Sequence, residues 1–129
     1  MFKFSPTWGE INFIAFGVTS VEFHNELYGA LENNFIERKE KLRTQFDTWA
    51  KTQSSTPKFN FESWLIYNGL VADIDYTDDR NNKTEKVPLP LFVRHRIHHP
   101  ENKKNLEYNS QQLKDSTEML INIVKCINW

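Results

Sequence analysis

An all-α domain, an up-down bundle of four or five helices, is the fold class this sequence predicts, and three observations carry it. Between Leu27 and Trp49 the apolar residues Leu27, Leu31, Phe35, Leu42, Phe46 and Trp49 recur at the spacing of one helix face. No segment alternates apolar and polar residues for long enough to announce a strand. The 129 residues include only four Gly and five Pro, which favours long regular elements joined by few breaks. A chain of this length forms one domain, residues 1–129, around one core. Apolar content is modest, but ten Phe, four Trp and four Tyr bring enough buried area to fill that core.

The elements follow in order. "EINFIAFGV", residues 10–18, is a short apolar run compatible with helix or strand. Ser20 to Lys51 reads as the main helix, capped by Thr19 or Ser20 with Glu22 supplying early negative charge. Its length predicts a kink, near Gly29 or Asn33-Asn34. "KTQSSTPK" breaks it, and "FNFESWLIYNGLVADI" resumes helical spacing through Phe61, Trp64, Leu65, Val71 and Ala72. "DYTDDRNNKTEKVPLP" reads as a charged loop. Leu91 to His99 forms a helix started after Pro90 and stopped by Pro100. Asn109 or Ser110 then caps a last helix to about Asn128. Its stripes Leu113-Thr117-Leu120-Val124-Ile127 and Met119-Ile123-Cys126 predict packing on two sides, with Cys126 as a small buried hydrophobe.

Composition excludes several functions. A net charge of −1 gives no general attraction to nucleic acid, so any such binding needs a local patch. The start, "MFKFSPTWGE", lacks the basic and apolar regions of a signal peptide, and no apolar run reaches the ~20 residues that span a bilayer. A cytoplasmic protein with no membrane association is expected. The acidic stretch from Asp73 imitates a calcium loop at Asp75, Thr77 and Asp79, then fails where it must not: Asp78 replaces the turn glycine and Thr84 the bidentate Glu. A solvated connection accounts for it, with Asp73 and Asp75 available as partners for the cations that follow.

Those cations are concentrated in "RHRIHHPENKK", residues 94–104. His95, His98 and His99 fall at i, i+3 and i+4 and could chelate a transition metal, but Arg94 and Arg96 stand beside them and no second set of ligands is visible. No metal or other cofactor is expected. The plainest alternative is a basic helix end complementing the helix dipole. Phosphate chemistry explains more of the cluster. Metal-free RNA cleavage needs a proton acceptor at the 2′-hydroxyl, a donor at the leaving oxygen, and fixed cations for the charge between them. Histidine titrates near neutrality, and arginine holds phosphate with a permanently charged fork.

Arg94-His95-Arg96-Ile97-His98-His99 resembles the motif of the HEPN superfamily: arginine, a polar residue, three arbitrary residues and histidine, just ahead of the final helix. That resemblance implies a small HEPN-like helical domain from a prokaryotic toxin–antitoxin or antiviral defence system, many of which are metal-independent endoribonucleases. It makes Arg94 and His99 the catalytic pair and His95 the polar second position. It also implies a homodimer whose two motifs share one cleft, with an antitoxin or another defence subunit as a protein partner. Helix geometry agrees on one point. Five positions separate Arg94 from His99 by roughly 140°, so one copy does not hold them side by side.

The leading expectation is an endoribonuclease that leaves a 2′,3′-cyclic phosphate, with His99 as acid/base, Arg94 on the phosphate and His95 orienting the pair. Arg96, His98, Lys103 and Lys104 would hold the RNA backbone without reading sequence. The alternative is an inactive module that docks a protein partner, with the terminal aromatics Phe2, Phe4, Trp8 and Trp129 either serving that contact or closing the ends of the bundle. His24 reads as a structural histidine.

Overall fold

The computed structural model describes Phe13, Gly17 and residues 19–127. Five helices and one hairpin follow one another there: α1 (Val21–Glu37), α2 (Lys39–Ala50), α3 (Phe61–Tyr67), β1 (Ile74–Thr77), β2 (Thr84–Val87), α4 (Leu89–His98) and α5 (Ser110–Cys126). The terminal aromatics Phe2, Phe4, Trp8 and Trp129 lie outside the described residues, as does most of the run 10–18. No helix among the described residues is long and apolar enough to cross a membrane.

The helix starts obey local chemistry. Ser20 Oγ accepts the Phe23 N–H at 3.1 Å and opens α1. At α5, Asn109 Oδ1 accepts the Gln112 N–H while Gln112 Oε1 accepts the Asn109 N–H, a reciprocal capping box. In α4, Pro90 falls inside the first turn, where its missing N–H costs nothing, so the helix begins at Leu89 rather than after the proline.

The breaks fall elsewhere than expected. The long helix divides at Arg38, not at Gly29 or Asn33-Asn34, and Gly29 stays inside α1. The division re-aims α2, so that buried Phe46 meets Phe59 at 5.0 Å and Tyr67 at 6.1 Å. Helix α3 stops at Tyr67 instead of continuing through Ala72. Gly69 adopts φ +108°, its N–H reaches the Ile66 carbonyl, and the Leu70 N–H reaches that of Leu65. This is a Schellman termination, which needs the left-handed residue that glycine supplies. Leu70 is buried by it, and Val71 is turned into solvent.

The all-α expectation is corrected by the hairpin. The segment read as a charged loop pairs antiparallel, with Ile74 opposite Val87, Asp75 opposite Lys86, Tyr76 opposite Glu85 and Thr77 opposite Thr84. Ile74, Tyr76 and Val87 turn toward the core, and Asp75 and Lys86 join across the strands at 2.7 Å on the outside. The fold is therefore mostly helical with a small two-stranded sheet.

The core forms where α1 packs on α5 and α5 on α4. Leu27, Leu31, Leu65, Val93 and Leu120 are wholly enclosed. Phe35 collects Phe59, Phe61 and Trp64 around it with ring centroids 5.1 to 5.8 Å away. Helix α5 meets both neighbours with one wide face: Leu113, Leu120, Ile121, Ile123 and Val124 are buried, while Met119 and Cys126 are exposed. The expected packing on two neighbours is present, but of the second stripe only Ile123 is buried, and the expectation of a buried cysteine is overturned. His24 is the structural histidine expected. It is fully buried, with Nε2 2.6 Å from Ser116 Oγ, and burial above all, helped by the Arg94 charge, lowers its pKa to about 4.

Candidate functional site at the end of α4

Helix α4 distributes its cationic residues over different sides. Its apolar face runs through Leu89, Phe92 and Val93, and the next position on that face is Arg96. Arg96 is accordingly buried, at 1% exposure. Its Nη1 donates to the carbonyls of His99, at 3.1 Å, and of Asn102, and its Nη2 to Glu107 Oε1. The expectation that Arg96 contacts an RNA backbone is thereby corrected: its donors are turned inward onto the protein. The helical stripe is the signal that distinguishes it from Arg94, two residues earlier.

Arg94 lies on the side facing α1 and is half-buried. Nη1 donates to Asn25 Oδ1 at 3.1 Å, and the guanidinium carbon stands 4.8 Å from the centre of the Tyr28 ring. No carboxylate among the described residues forms an ion pair with it, so its orientation is set by neutral groups. His98, one turn on, is exposed; slight burial and then the Arg94 charge lower its pKa. Lys103 and Lys104 are exposed in the following loop.

His95 and His99 face the hairpin instead. His95 stacks on Tyr76 with ring centroids 4.7 Å apart, and burial, followed by the nearby His99 and His98, lowers its pKa. His99 ends the helix, its N–H closing the last turn onto the His95 carbonyl at 2.9 Å. Its Nδ1 lies 3.3 Å from Glu101 Oε1. Both histidines line a cleft of about 500 Å³ whose other walls include Glu62 of α3, Tyr76 and Glu85 of the hairpin, and Arg80 of its turn. Arg94 and His98 do not line it. The structure thus brings His95 and His99 together and sets Arg94 apart from them, as the 140° separation requires.

The cleft is more acidic than basic. Among the described residues, Glu62, Asp78, Asp79, Glu85 and Glu101 line it with only Arg80 and Lys83 as fixed cations. Arg80 donates from Nη2 to Asp78 Oδ2 at 3.0 Å, and its side chain and backbone bonds hold the Asp78 carboxyl down to about 2. Partial burial, then the neighbouring Glu85, pushes the Glu62 carboxyl above its ordinary range. The acidic segment does meet the histidines, but through Asp78; Asp75 is occupied by Lys86. Glu62, Tyr76, Arg80 and Glu85 have no legible role in the sequence, since only the fold carries α3 and the hairpin to α4. Among the described residues no three His, Cys, Asp or Glu side chains are disposed to hold a metal ion.

Compared with protein-family models, with curated proteins and with solved structures, the chain matches none.

Proposed function

We propose that the protein is a metal-independent endoribonuclease of HEPN type, acting as a homodimer in a cytoplasmic toxin or defence system. One observation carries the reading. Arg94 is a half-buried guanidinium held in orientation by Asn25 and Tyr28 yet neutralised by no carboxylate among the described residues. Such a group keeps its charge and most of its donors for an anion, and a phosphate in the act of transfer is the anion it suits.

The chemistry is transesterification. His99 takes the proton from the ribose 2′-hydroxyl, O2′ attacks phosphorus, and the bond from phosphorus to O5′ breaks. The leaving O5′ takes a proton from water while His99 returns its own to the solvent, giving a 2′,3′-cyclic phosphate and a 5′-hydroxyl end. Arg94 offsets the negative charge on the phosphoryl oxygens. Because Arg94 and His99 face different sides of α4, the Arg94 of one protomer serves the His99 of the other across a two-fold axis. His95, fixed against Tyr76, sets the orientation of the neighbouring His99. The exposed His98, Lys103 and Lys104 hold the backbone of the substrate, which passes outside the carboxylate-lined cleft.

The test is cleavage of total cellular RNA and tRNA by the purified protein in EDTA beside the His99→Ala variant. His99 is exposed, so the variant keeps its fold; loss of the proton-transfer group lowers the rate on the order of 10²- to 10⁴-fold. A His99→Ala protein that cuts like wild type sinks the assignment. The acidic cleft favours a second reading, an inactive HEPN-like module that takes a basic segment of a protein partner such as an antitoxin. Absence of cleavage in both proteins selects it.

A further inference from the structure

The loop leaving α4 holds a second polar system, unused in the mechanism above. Arg96 reaches inward from the helix to the carbonyls of His99 and Asn102 and to Glu107. Asn102 is itself 2% exposed and faces the hairpin: Nδ2 donates to the Thr77 carbonyl at 2.9 Å and to Tyr76 Oη at 3.3 Å, and Oδ1 accepts the Lys104 N–H at 3.1 Å. Asn105 repeats the tie, accepting the Thr77 N–H at 2.7 Å and donating to the Thr77 carbonyl at 2.9 Å.

A guanidinium and an amide are costly to bury, and a loop that merely joins two helices has no need of either. Their arrangement is specific. The Asn102 N–H bonds the His99 carbonyl at 3.1 Å, making residues 99–102 a closed turn, and Arg96 grips that turn at both its first and last carbonyl. The turn carries His99 and Glu101, the two groups that meet over the cleft. Only the planar fork of arginine reaches two carbonyls and a carboxylate from one buried position; a lysine there has a single nitrogen.

We propose that Arg96 and Asn102 are positioning residues, clamping the turn of residues 99–102 between α4 and β1 so that the His99 imidazole is presented over the cleft in one orientation. The proposal rests on the ribonuclease reading for the use His99 makes of that orientation, but the clamp can be measured without RNA. Two groups report on it. One is the order of the His99 ring, from carbon relaxation at Cε1. The other is the Glu101 carboxyl, which its own backbone N–H and then His99 hold below the ordinary range.

The experiment compares wild type with Asn102→Ala, Arg96→Lys and Glu107→Ala, each checked for fold by circular dichroism. Release of the turn lowers the ring order, and Glu101 titrates closer to an ordinary glutamate. On RNA in EDTA, kcat falls on the order of tenfold to a hundredfold with KM little changed, the signature of a misplaced rather than a missing group. Arg96→Lys, which keeps the charge but on a single nitrogen, falls between wild type and Asn102→Ala. A folded Asn102→Ala protein with wild-type ring order and Glu101 titration overturns the proposal. Should Asn102→Ala not fold, Arg96→Lys decides on the same readouts, since it keeps the charge beside Glu107 but loses the fork that spans the two carbonyls. Wild type that cuts no RNA, while the variants release the ring, refutes the ribonuclease reading and supports the clamp. Cleavage by wild type with an unmoved ring in every folded variant refutes the clamp alone.

Discussion

Replacing His24 by glutamine removes a specific acid sensitivity from the protein. His24 is fully buried, bonded to Ser116 at 2.6 Å, and its pKa falls from 6.5 to about 4 on folding. The folded state thus binds the histidine proton more weakly than the unfolded chain does. Stability from this group is complete above the unfolded value of 6.5 and is lost progressively as pH falls to about 4. At roughly 1.36 kcal/mol per unit, that lowering amounts to about 3 kcal/mol, a large part of the ~5–15 kcal/mol that holds a domain together. In the His24→Gln variant the glutamine amide is still able to bond Ser116 and does not titrate. Urea unfolding of both proteins, repeated from above pH 6.5 down to pH 4, measures the difference. His95 and His98 are also lowered and destabilise in the same direction, but they are common to both proteins and cancel. Wild type should lose about 3 kcal/mol more than His24→Gln over that window. Equal losses would show that the buried histidine is already protonated or solvated, and would refute the argument.

Arg94→Met removes the proposed phosphate contact and lowers cleavage on the order of 10²- to 10³-fold. It also removes a charge that depresses both His24 and His98, so both imidazoles titrate higher by proton NMR, an outcome that needs no RNA. At the other end of the loop, Asn109→Ala abolishes one half of the α5 capping box and costs about 1 kcal/mol in chemical denaturation, with no change in the His99 ring.

The most legible elements are those where two local signals coincide. Helix α5 combines a cap residue with a long stripe, and of the two caps the sequence offered, Asn109 and Ser110, the structure uses Asn109. Helix α4 lies between prolines, with only its first turn misjudged. Where one signal opposes another, the stripe misleads: Asn68-Gly69 is an overt stop, yet Val71 and Ala72 continue the spacing of α3 beyond it. The break at Arg38 has no proline, glycine or side-chain cap to announce it, because it is imposed by the aromatic contacts of α2. The hairpin is hidden because four-residue strands offer too little alternation, and most of its pairing joins residues nine or more positions apart. The site is legible in part. The histidine cluster and the separation of Arg94 from His99 follow from spacing on one helix. The cleft does not, since Glu62, Tyr76 and Glu85 come from three other elements. The charge of Arg96 suggests the wrong role, although its place on the apolar stripe of α4 marks it as buried.

The pairing of α1 with α5 governs when this chain can fold during its synthesis. The bond from His24 to Ser116 spans 92 residues, and most of the cover for α1 comes from that last helix. At translation rates of roughly 5–20 residues per second, α1 waits about 5–20 s between its own emergence and that of its partner. For that interval Leu27 and Leu31, wholly enclosed in the finished protein, lie on an uncovered helix face. Folding of α1 into its finished environment is therefore held back until α5 has been made, and until then the chain carries an apolar helix face that a helix-binding chaperone would recognise.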